Sequence, residues 1–598
     1  MPELPSMQVR RTGTRLTTTR PHLHFAALVA ALLMVAAACT TGEVIADAPS
    51  NERGEAPLSR TEDPGELDWG GCQQELAAMA RLECATLAVP MDRADESSRN
   101  IELELARSPA TGDPDERIGS LLFNPGGPGG SGIEFLANAA FLVPDELQER
   151  FDLVSWDPRG VGESTPVRCL TDEQKDAHIE GDLSPDDDEE LQRAIDNQAE
   201  FLEGCLTNHP DLIQHMSTAD VAGDLEEIRE ALGDDQLNYV GFSYGTAIGA
   251  TYATMFPDKV RAMVLDGAVA PGADDLDQTV AQMEGFERTY LSFVAECDSD
   301  PDCALHGDTA GRVEEVRTSL DTDPIEVRTT SGSRELTRDL FDTGLLTALY
   351  DPATWGLAAD AIADLESGGG ATMLTFADQQ VGRNPDGTWN NSGDAQAMVS
   401  CADTEVRPTL EEAEAQIPEV AESVPTFGEA AMTAPLSCVD WPLAANPVPE
   451  WTAAGAPPIL VVGTVGDPAT PYEWAEQMTA ALEGSVLLTY EGDGHTAFMR
   501  GAPCIDDAVV AYLVDLEVPA AGTSCEAVES DSGLGGIEDL LLEQFSQAGI
   551  PQSLAECITG RLRDELGDAD LGELLLGGDP NALNELVTDI TLECMAEG

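Results

Sequence analysis

The stretch 238–250, NYVGFSYGTAIGA, constrains the fold of this chain more than any other part of it. An apolar run meets the motif GFSYG at residues 241–245, and a small-residue pattern of helical character follows. A G-x-S-x-G motif in this setting predicts a strand, a very sharp turn and a helix, with Ser243 projecting above the end of the strand. The flanking glycines are needed because strand and helix backbones nearly touch there. Since the bare motif often occurs by chance, its interpretation as a nucleophile elbow depends on the partners that follow.

Short apolar runs alternate with helical patterns on both sides of this turn. Strands are predicted at 119–124, 151–156, 236–240, 260–265, 458–463 and 485–490. Such alternation favours parallel pairing and a doubly wound, mostly parallel α/β sheet. In sheets of this kind the active site lies at the carboxyl ends of the strands, which is where Gly127, Ser243 and Asp266 fall.

A glycine-rich loop, PGGPGGSG at residues 125–132, follows the first of these strands. A phosphate-binding P-loop is disfavoured because no Lys-Ser/Thr pair follows the glycines. An oxyanion hole is the better interpretation, since glycine lets a backbone N–H approach a reacting carbonyl. The N–H groups of Gly127 and Tyr244 are the predicted donors, and a simple Gly-Pro turn is the alternative.

The partners of Ser243 are predicted from chain order and from the loops that follow the last strands. Among the five histidines after residue 39, only His495 follows a last strand in a glycine-flanked loop, from which a base can reach Ser243. Asp467 ends the penultimate predicted strand, and Asp266 remains a second contender for the acid. The order Ser…Asp…His predicts Ser243 as nucleophile, His495 as general base and Asp467 as the carboxylate that orients the imidazole.

The first 39 residues predict export. Arginines precede an apolar run at 25–38 that is too short to span a bilayer comfortably. The run ends Ala-Ala-Ala-Cys39, which resembles a bacterial lipobox with Cys39 as the lipidated residue, whereas an ordinary cleavage site is the alternative. The predicted location is the outer face of the cell membrane, held by the lipid alone, or the medium if the chain is secreted. Residues 40–66 are polar and proline-containing, so they are predicted to form a flexible tether.

The cysteines predict a disulfide framework. Thirteen cysteines less Cys39 leave an even number, as an exported disulfide protein requires. Nearest-neighbour pairing is our hypothesis: Cys72/Cys84, Cys169/Cys205, Cys297/Cys303, Cys401/Cys438, Cys504/Cys525 and Cys557/Cys594. Because no CxxC is present and histidines are few, neither a structural zinc nor another cofactor is expected.

The pattern of strands and helices divides the rest of the chain into predicted domains. The strand rhythm breaks from 272 to 450, which predicts a helical cap inserted between core segments 67–271 and 451–525. Residues 526–598 are predicted to form a small acidic helical appendage. The 111 acidic against 30 basic residues give a formal charge of −81, which argues against a nucleic-acid partner.

The motifs LLFNPGGPGGSG, WDPRGVGES, GDPATPYEWA and GDGHTAF, with the serine turn, resemble exported actinobacterial tripeptidyl aminopeptidases. These are serine exopeptidases of the α/β-hydrolase fold, related to prolyl aminopeptidases, and the resemblance covers about residues 67–525. It implies release of short, tripeptide-like peptides from free N-termini through an acyl-enzyme on Ser243. Such an enzyme needs a carboxylate for the substrate ammonium. Asp403 lies in a stretch similar to a recurrent family segment, and Thr470 follows Asp467 closely, so both are candidate substrate-binding residues.

Two other functions remain open from the sequence. A secreted carboxylesterase would use the same triad, and a free tripeptide anilide assayed beside its N-acetylated form separates the two activities. A binding lipoprotein on an inactive hydrolase scaffold is the third hypothesis, and the complete set of Ser243, Asp467 and His495 argues against it.

Overall fold

The computed structural model describes residues 67–72, 82–179, 184–185, 187–272, 275–329, 332–404 and 407–528, with 554–555, 557–562, 590 and 594. The predicted signal segment with Cys39 and the predicted tether, residues 1–66, lie outside the described residues, as does most of the predicted appendage. Within the described ranges, none of the helices combines the length and the apolar character that a membrane span needs.

A ten-stranded sheet runs through the described part of the core. Its strands are β1 (Gly70–Gly71), β2 (Glu83–Pro90), β3 (Asn100–Ser108), β4 (Gly119–Asn124), β5 (Phe151–Trp156), β6 (Leu237–Phe242), β7 (Val260–Asp266), β10 (Leu460–Gly466), β11 (Val486–Asp493) and β12 (Thr523–Cys525). Across the sheet they follow the order β1-β2-β3-β5-β4-β6-β7-β10-β11-β12. A separate hairpin consists of β8 (Ile325–Thr329) and β9 (Gly332–Leu336).

Strand direction divides the sheet into two parts. All pairs from β5 to β12 are parallel, as the alternating pattern predicts. The pairs β1–β2, β2–β3 and β3–β5 are antiparallel. For β2–β3 the reason is the short link between the two strands, which cannot make the crossover that a parallel pair needs. Successive residues of β4 alternate between two apolar clusters, with Leu122 in one and Leu121 and Phe123 in the other. The central strands are therefore buried on both faces, as in other doubly wound sheets.

Helices cover the sheet and form most of the region predicted as the cap. Those of the two core segments are Gly132–Ala139, Asp145–Arg150, Asp172–Ile179, Asp188–Asn208, Thr218–Leu232, Gly245–Met255, Tyr472–Ala481 and Pro503–Asp515. Those between β7 and β10 are Asp275–Ser299, Thr309–Thr322, Arg338–Leu349, Trp355–Leu365, Ala371–Val381, Ser392–Asp403 and Leu410–Ala421. The latter set has an apolar cluster of its own, in which Phe293, Phe341 and Trp355 are buried. The domain boundaries themselves stay a prediction.

The cysteines pair as predicted. Six disulfide bonds join Cys72 to Cys84, Cys169 to Cys205, Cys297 to Cys303, Cys401 to Cys438, Cys504 to Cys525 and Cys557 to Cys594. Disulfides form and persist in oxidising compartments, so this framework indicates an extracytoplasmic protein.

The described residues of the C-terminal segment pack on helices of the region predicted as the cap. One apolar cluster contains Ile558, Leu562, Ile590 and Cys594 together with Ala348, Leu357, Ala358 and Phe376. These contacts join the segment to the helices on the cap side of the chain rather than to the sheet.

Candidate active site

The turn around Ser243 has the strained geometry that the motif predicts. The strand β6 ends at Phe242, the helix begins at Gly245, and Ser243 between them has a φ of 53°, in the left-handed region. A Cβ atom at Gly241 would lie 2.4 Å from the carbonyl oxygen of Gly245, so only glycine fits there. A non-glycine residue in this conformation is uncommon and marks functional sites.

The backbone of Ser243 is fixed by the neighbouring strand. Its N–H donates to the carbonyl oxygen of Asp266, the last residue of β7, at 2.9 Å. The next residue, Gly267, has a φ of 68°, and a Cβ atom on it would lie 3.1 Å from Cε1 of His495. The end of β7 therefore connects the serine turn directly to the predicted base.

Asp467 and His495 form a closely held pair. The imidazole Nδ1 lies 2.9 and 3.0 Å from the two carboxylate oxygens of Asp467. The side chain of Asp467 is 1% exposed and that of His495 12% exposed. Because the carboxylate only accepts, it holds a proton on Nδ1 and leaves Nε2 as the nitrogen that can take a proton from a nucleophile.

Further donors fix the carboxylate of Asp467. The backbone N–H groups of Ala469 and Thr470 donate to Oδ1 at 2.9 and 2.8 Å. The hydroxyl of Thr470 lies 2.9 Å from Oδ2 and 3.2 Å from Nδ1 of His495. Thr470, a candidate substrate-binding residue from the sequence, thus contacts the acid and the imidazole and is itself buried.

Asp266, the second contender for the acid, has other partners. Its Oδ2 accepts from the N–H groups of Ala497 and Phe498 at 3.0 and 2.8 Å. Burial raises the pKa of Asp266 to about 6, although these two donors oppose the rise. Asp266 therefore holds the turn that follows His495, whereas Asp467 contacts the imidazole.

The glycine-rich loop packs against the serine turn. A Cβ atom at Gly126 would lie 2.9 Å from Cβ of Ser243 and 3.0 Å from the backbone nitrogen of Tyr244. The N–H of Gly126 donates to Oδ1 of Asn124 at 3.1 Å. Within the described part of the chain, the N–H groups of Gly127 and Tyr244 have no hydrogen-bond acceptor. These are the two donors that the sequence predicts for an oxyanion hole.

Tyr350, from the region predicted as the cap, contacts His495, and the sequence analysis did not predict this contact. The N–H of His495 donates to the carbonyl oxygen of Tyr350 at 2.8 Å. The two rings meet edge to face with centroids 5.4 Å apart. The ion pair between Arg500 and Asp351 joins the same two segments. Tyr350 lies in no motif and is far from His495 along the chain, so the sequence carries no signal for this contact.

Asp403, the other candidate substrate-binding residue, ends the helix Ser392–Asp403. Its Oδ1 accepts from the N–H of Thr218 at 2.7 Å, and its Oδ2 accepts from the Thr218 hydroxyl at 2.5 Å. Burial raises the pKa of Asp403 to about 7. Both carboxylate oxygens therefore already have partners on the core.

A doubly wound sheet with a serine turn, a buried Asp–His pair and a glycine-rich loop at one edge defines an α/β-hydrolase-type serine hydrolase. Residues 423–525 match the family model of TAP-like proteins. The serine protease Hip1 of Mycobacterium tuberculosis is 37% identical over 479 residues, which cover 77% of this chain and 91% of that protein. The tripeptidyl aminopeptidase of Streptomyces lividans is 32% identical over 480 residues, 77% of this chain and 86% of that protein.

A third relative has a different named activity. The carboxylesterase B of Mycobacterium tuberculosis is 35% identical over 472 residues, which cover 76% of this chain and 89% of that protein. The chain belongs to this family of tripeptidyl aminopeptidase-like serine hydrolases, and it is a serine hydrolase.

Proposed function

We propose that this protein is an exported serine exopeptidase that releases short, tripeptide-like peptides from free N-termini. The observation that carries the proposal is the Asp467–His495 pair, whose imidazole packs against Gly267, the residue after Asp266, which accepts the N–H of Ser243. The named activities of two relatives, a serine protease and a tripeptidyl aminopeptidase, support a peptide substrate.

The proposed reaction follows from these groups. Nε2 of His495 takes the proton of Ser243 as Oγ attacks the scissile carbonyl, and Asp467 stabilises the imidazolium that forms. The N–H groups of Gly127 and Tyr244 stabilise the oxyanion, at about 3 kcal/mol per donor in comparable sites. His495 then gives its proton to the leaving amine as the C–N bond breaks. Water attacks the acyl-enzyme by the same route and releases the short N-terminal peptide.

Contacts of the cap side with the catalytic edge support cleavage near a chain end. Tyr350 contacts His495, and the carbonyl oxygen of Ser392 leaves no room for a Cβ atom at Gly129, where the distance would be 2.3 Å. Segments 350–352 and 391–396 thus contact the loop of His495 and the glycine-rich loop, an arrangement that favours short substrates. The contacts of Asp403 and Thr470 favour positioning roles, so our proposal assigns the binding of the substrate ammonium to neither residue.

Export and lipid anchoring also belong to the proposal. The disulfide framework supports an extracytoplasmic protein, and the lipobox-like sequence before Cys39 supports attachment to the outer face of the membrane through a lipid. Intact-mass measurement of the mature protein, with Cys39→Ala as the control, tests this part. A mature N-terminus other than Cys39, without added acyl mass, would show a secreted protein instead.

A pair of chromogenic substrates tests the activity. The free tripeptide p-nitroanilide should be cleaved, whereas its N-acetylated form should lose nearly all turnover, because an exopeptidase must bind the free ammonium. Ser243→Ala serves as the background control.

Carboxylesterase activity is the second candidate, favoured by the relative of that name. Turnover of p-nitrophenyl esters with neither anilide cleaved would replace the exopeptidase proposal with an esterase, whereas equal turnover of both anilides would show that no free N-terminus is needed.

A further inference from the structure

Three side chains from distant parts of the chain connect the cap side to the serine turn. We propose that Asp403, Thr218 and Tyr244 form a hydrogen-bonded relay that positions the second oxyanion-hole donor, the N–H of Tyr244. This inference rests on the proposed hydrolase function. It gives Asp403 and Thr218 a positioning role in the reaction, without contact with the substrate.

The geometry of the relay is continuous. Asp403 accepts from both the N–H and the hydroxyl of Thr218, at 2.7 and 2.5 Å. The Thr218 hydroxyl oxygen lies 2.5 Å from the hydroxyl oxygen of Tyr244. Thr218 is fully buried and Tyr244 is 9% exposed, so water does not compete freely for the bond between their hydroxyls, whereas Asp403 is half-buried.

Hydrogen-bond chemistry gives the relay one direction. When Asp403 is ionised, its carboxylate only accepts, so the single hydroxyl proton of Thr218 then goes to Asp403. The oxygen of Thr218 is then an acceptor, and the hydroxyl of Tyr244 donates to it. Burial raises the pKa of Tyr244 well above its ordinary value, so the phenol keeps the proton that it donates.

The relay acts next to the reacting atoms. Tyr244 directly follows Ser243 and precedes the helix Gly245–Met255, with backbone angles φ −52° and ψ −29°. Its ring is tethered at the hydroxyl end, so the orientation of the residue is fixed at both backbone and side chain. A donor that is preorganised in this way stabilises an oxyanion without reorganising during the reaction.

The same cap-side helix also contacts the other half of the predicted oxyanion hole. The helix Ser392–Asp403 begins where the carbonyl oxygen of Ser392 packs against Gly129, two residues after Gly127. It ends at Asp403, next to the disulfide between Cys401 and Cys438. The helix Ser392–Asp403 therefore contacts the loop that carries the Gly127 N–H. Through Thr218 it is also connected to the side chain of Tyr244.

Conservative substitutions test the relay. Tyr244→Phe and Thr218→Val each remove one link while keeping the shape of the side chain, and Asp403→Asn removes the charge of the acceptor. We expect kcat for the tripeptide anilide to fall about 10-fold to 100-fold, the range for small misplacements at an active site, with KM within about twofold. The Ki of a peptide aldehyde, whose hemiacetal oxygen occupies the oxyanion hole, should rise by the same factor as kcat falls.

Two controls separate the relay from general stability. Tyr252→Phe removes a buried tyrosine hydroxyl from the same helix, where it donates to Glu226 at 2.7 Å, and it should leave kcat and the aldehyde Ki unchanged. Thr218→Ser keeps the hydroxyl and should restore most of the kcat that Thr218→Val loses. The double variant Tyr244→Phe/Asp403→Asn should be no slower than the slower single variant, since both break one chain.

The outcomes distinguish this inference from the proposed function. Wild-type kcat and aldehyde Ki in Tyr244→Phe and Thr218→Val, with only the unfolding midpoint lowered, would overturn the relay and leave the function intact. Fully additive losses in the double variant would also overturn it. If the wild type cleaves esters but no anilide, the exopeptidase proposal falls, and the same comparison is made with a p-nitrophenyl ester. If the wild type turns over neither substrate, both proposals fall.

Discussion

Replacing Asp266 with asparagine should change how the stability of this protein depends on pH. Asp266 is fully buried at the end of β7, and burial raises its pKa from 3.8 to about 6. Its Oδ2 accepts from the N–H groups of Ala497 and Phe498, and the amide oxygen of an asparagine can occupy the same position. The substitution therefore keeps an acceptor for the turn after His495 and removes the ionisation.

The sign and the size of this change in the free energy of unfolding follow from proton linkage. A raised folded-state pKa means that the folded protein holds the proton more tightly than the unfolded chain, so this contribution to stability is complete below the unfolded pKa. It is lost as pH rises from about 4 through about 6. The full shift corresponds to about 3 kcal/mol, of which about 2 kcal/mol falls between about pH 4.5 and about pH 7.5. Relative to wild type, the free energy of unfolding of Asp266→Asn should rise by that amount over this interval.

Urea unfolding followed by tryptophan fluorescence, without reductant, measures this difference at each pH. Taking the difference between two proteins removes the contributions of carboxylates that titrate alike in both. Asp266→Ala, which removes the acceptor as well, should be less stable than Asp266→Asn at every pH. A wild-type-minus-variant difference that stays flat between the two pH values would refute the assignment of a raised pKa to this buried carboxylate.

Substitutions at three further positions test the site and the loops around it. Asp467→Asn should lower kcat for the tripeptide p-nitroanilide by about 10³-fold to 10⁴-fold, because the imidazole loses the acceptor that sets its tautomer. Tyr350→Ala should lower kcat about tenfold by loosening His495, whereas Tyr350→Phe should keep most activity, and equal rates in both would contradict the ring contact. Gly129→Ala should reduce the free energy of unfolding by more than about 2 kcal/mol, since its Cβ atom would overlap the carbonyl oxygen of Ser392. A wild-type urea midpoint for Gly129→Ala would contradict that close approach.

Local motifs made much of the site predictable. The turn around Ser243 is recognisable from its two flanking glycines, neither of which has room for a Cβ atom. The Asp467–His495 pair is predictable because each residue follows one of the last strands of the sheet. The choice between Asp467 and Asp266 could not be settled from the sequence, because both end parallel strands at the same edge. The choice depends on the backbone conformation of residues 495–498. This conformation places the imidazole against Asp467 and two backbone N–H groups against Asp266.

Long-range contacts explain what the sequence did not predict. Tyr350 reaches His495 through a backbone carbonyl, which any residue type offers, so no residue pattern marks it. The relay from Asp403 to Tyr244 joins two segments through Thr218, whose pattern indicates only the start of a helix. The hairpin of β8 and β9 is short and largely exposed, and its sequence lacks an apolar run of the kind that identified the other strands. The disulfides were predictable because each bond joins two cysteines that are consecutive in the sequence.

Covalent labelling of Ser243 tests the central claim most directly. A fluorophosphonate probe should modify the folded wild type, and peptide mapping should find the added mass on Ser243. Ser243→Ala should stay unlabelled, and His495→Ala should react far more slowly because the hydroxyl has lost its base. Labelling of His495→Ala at the wild-type rate, or no labelling of Ser243 in folded wild type, would contradict the account.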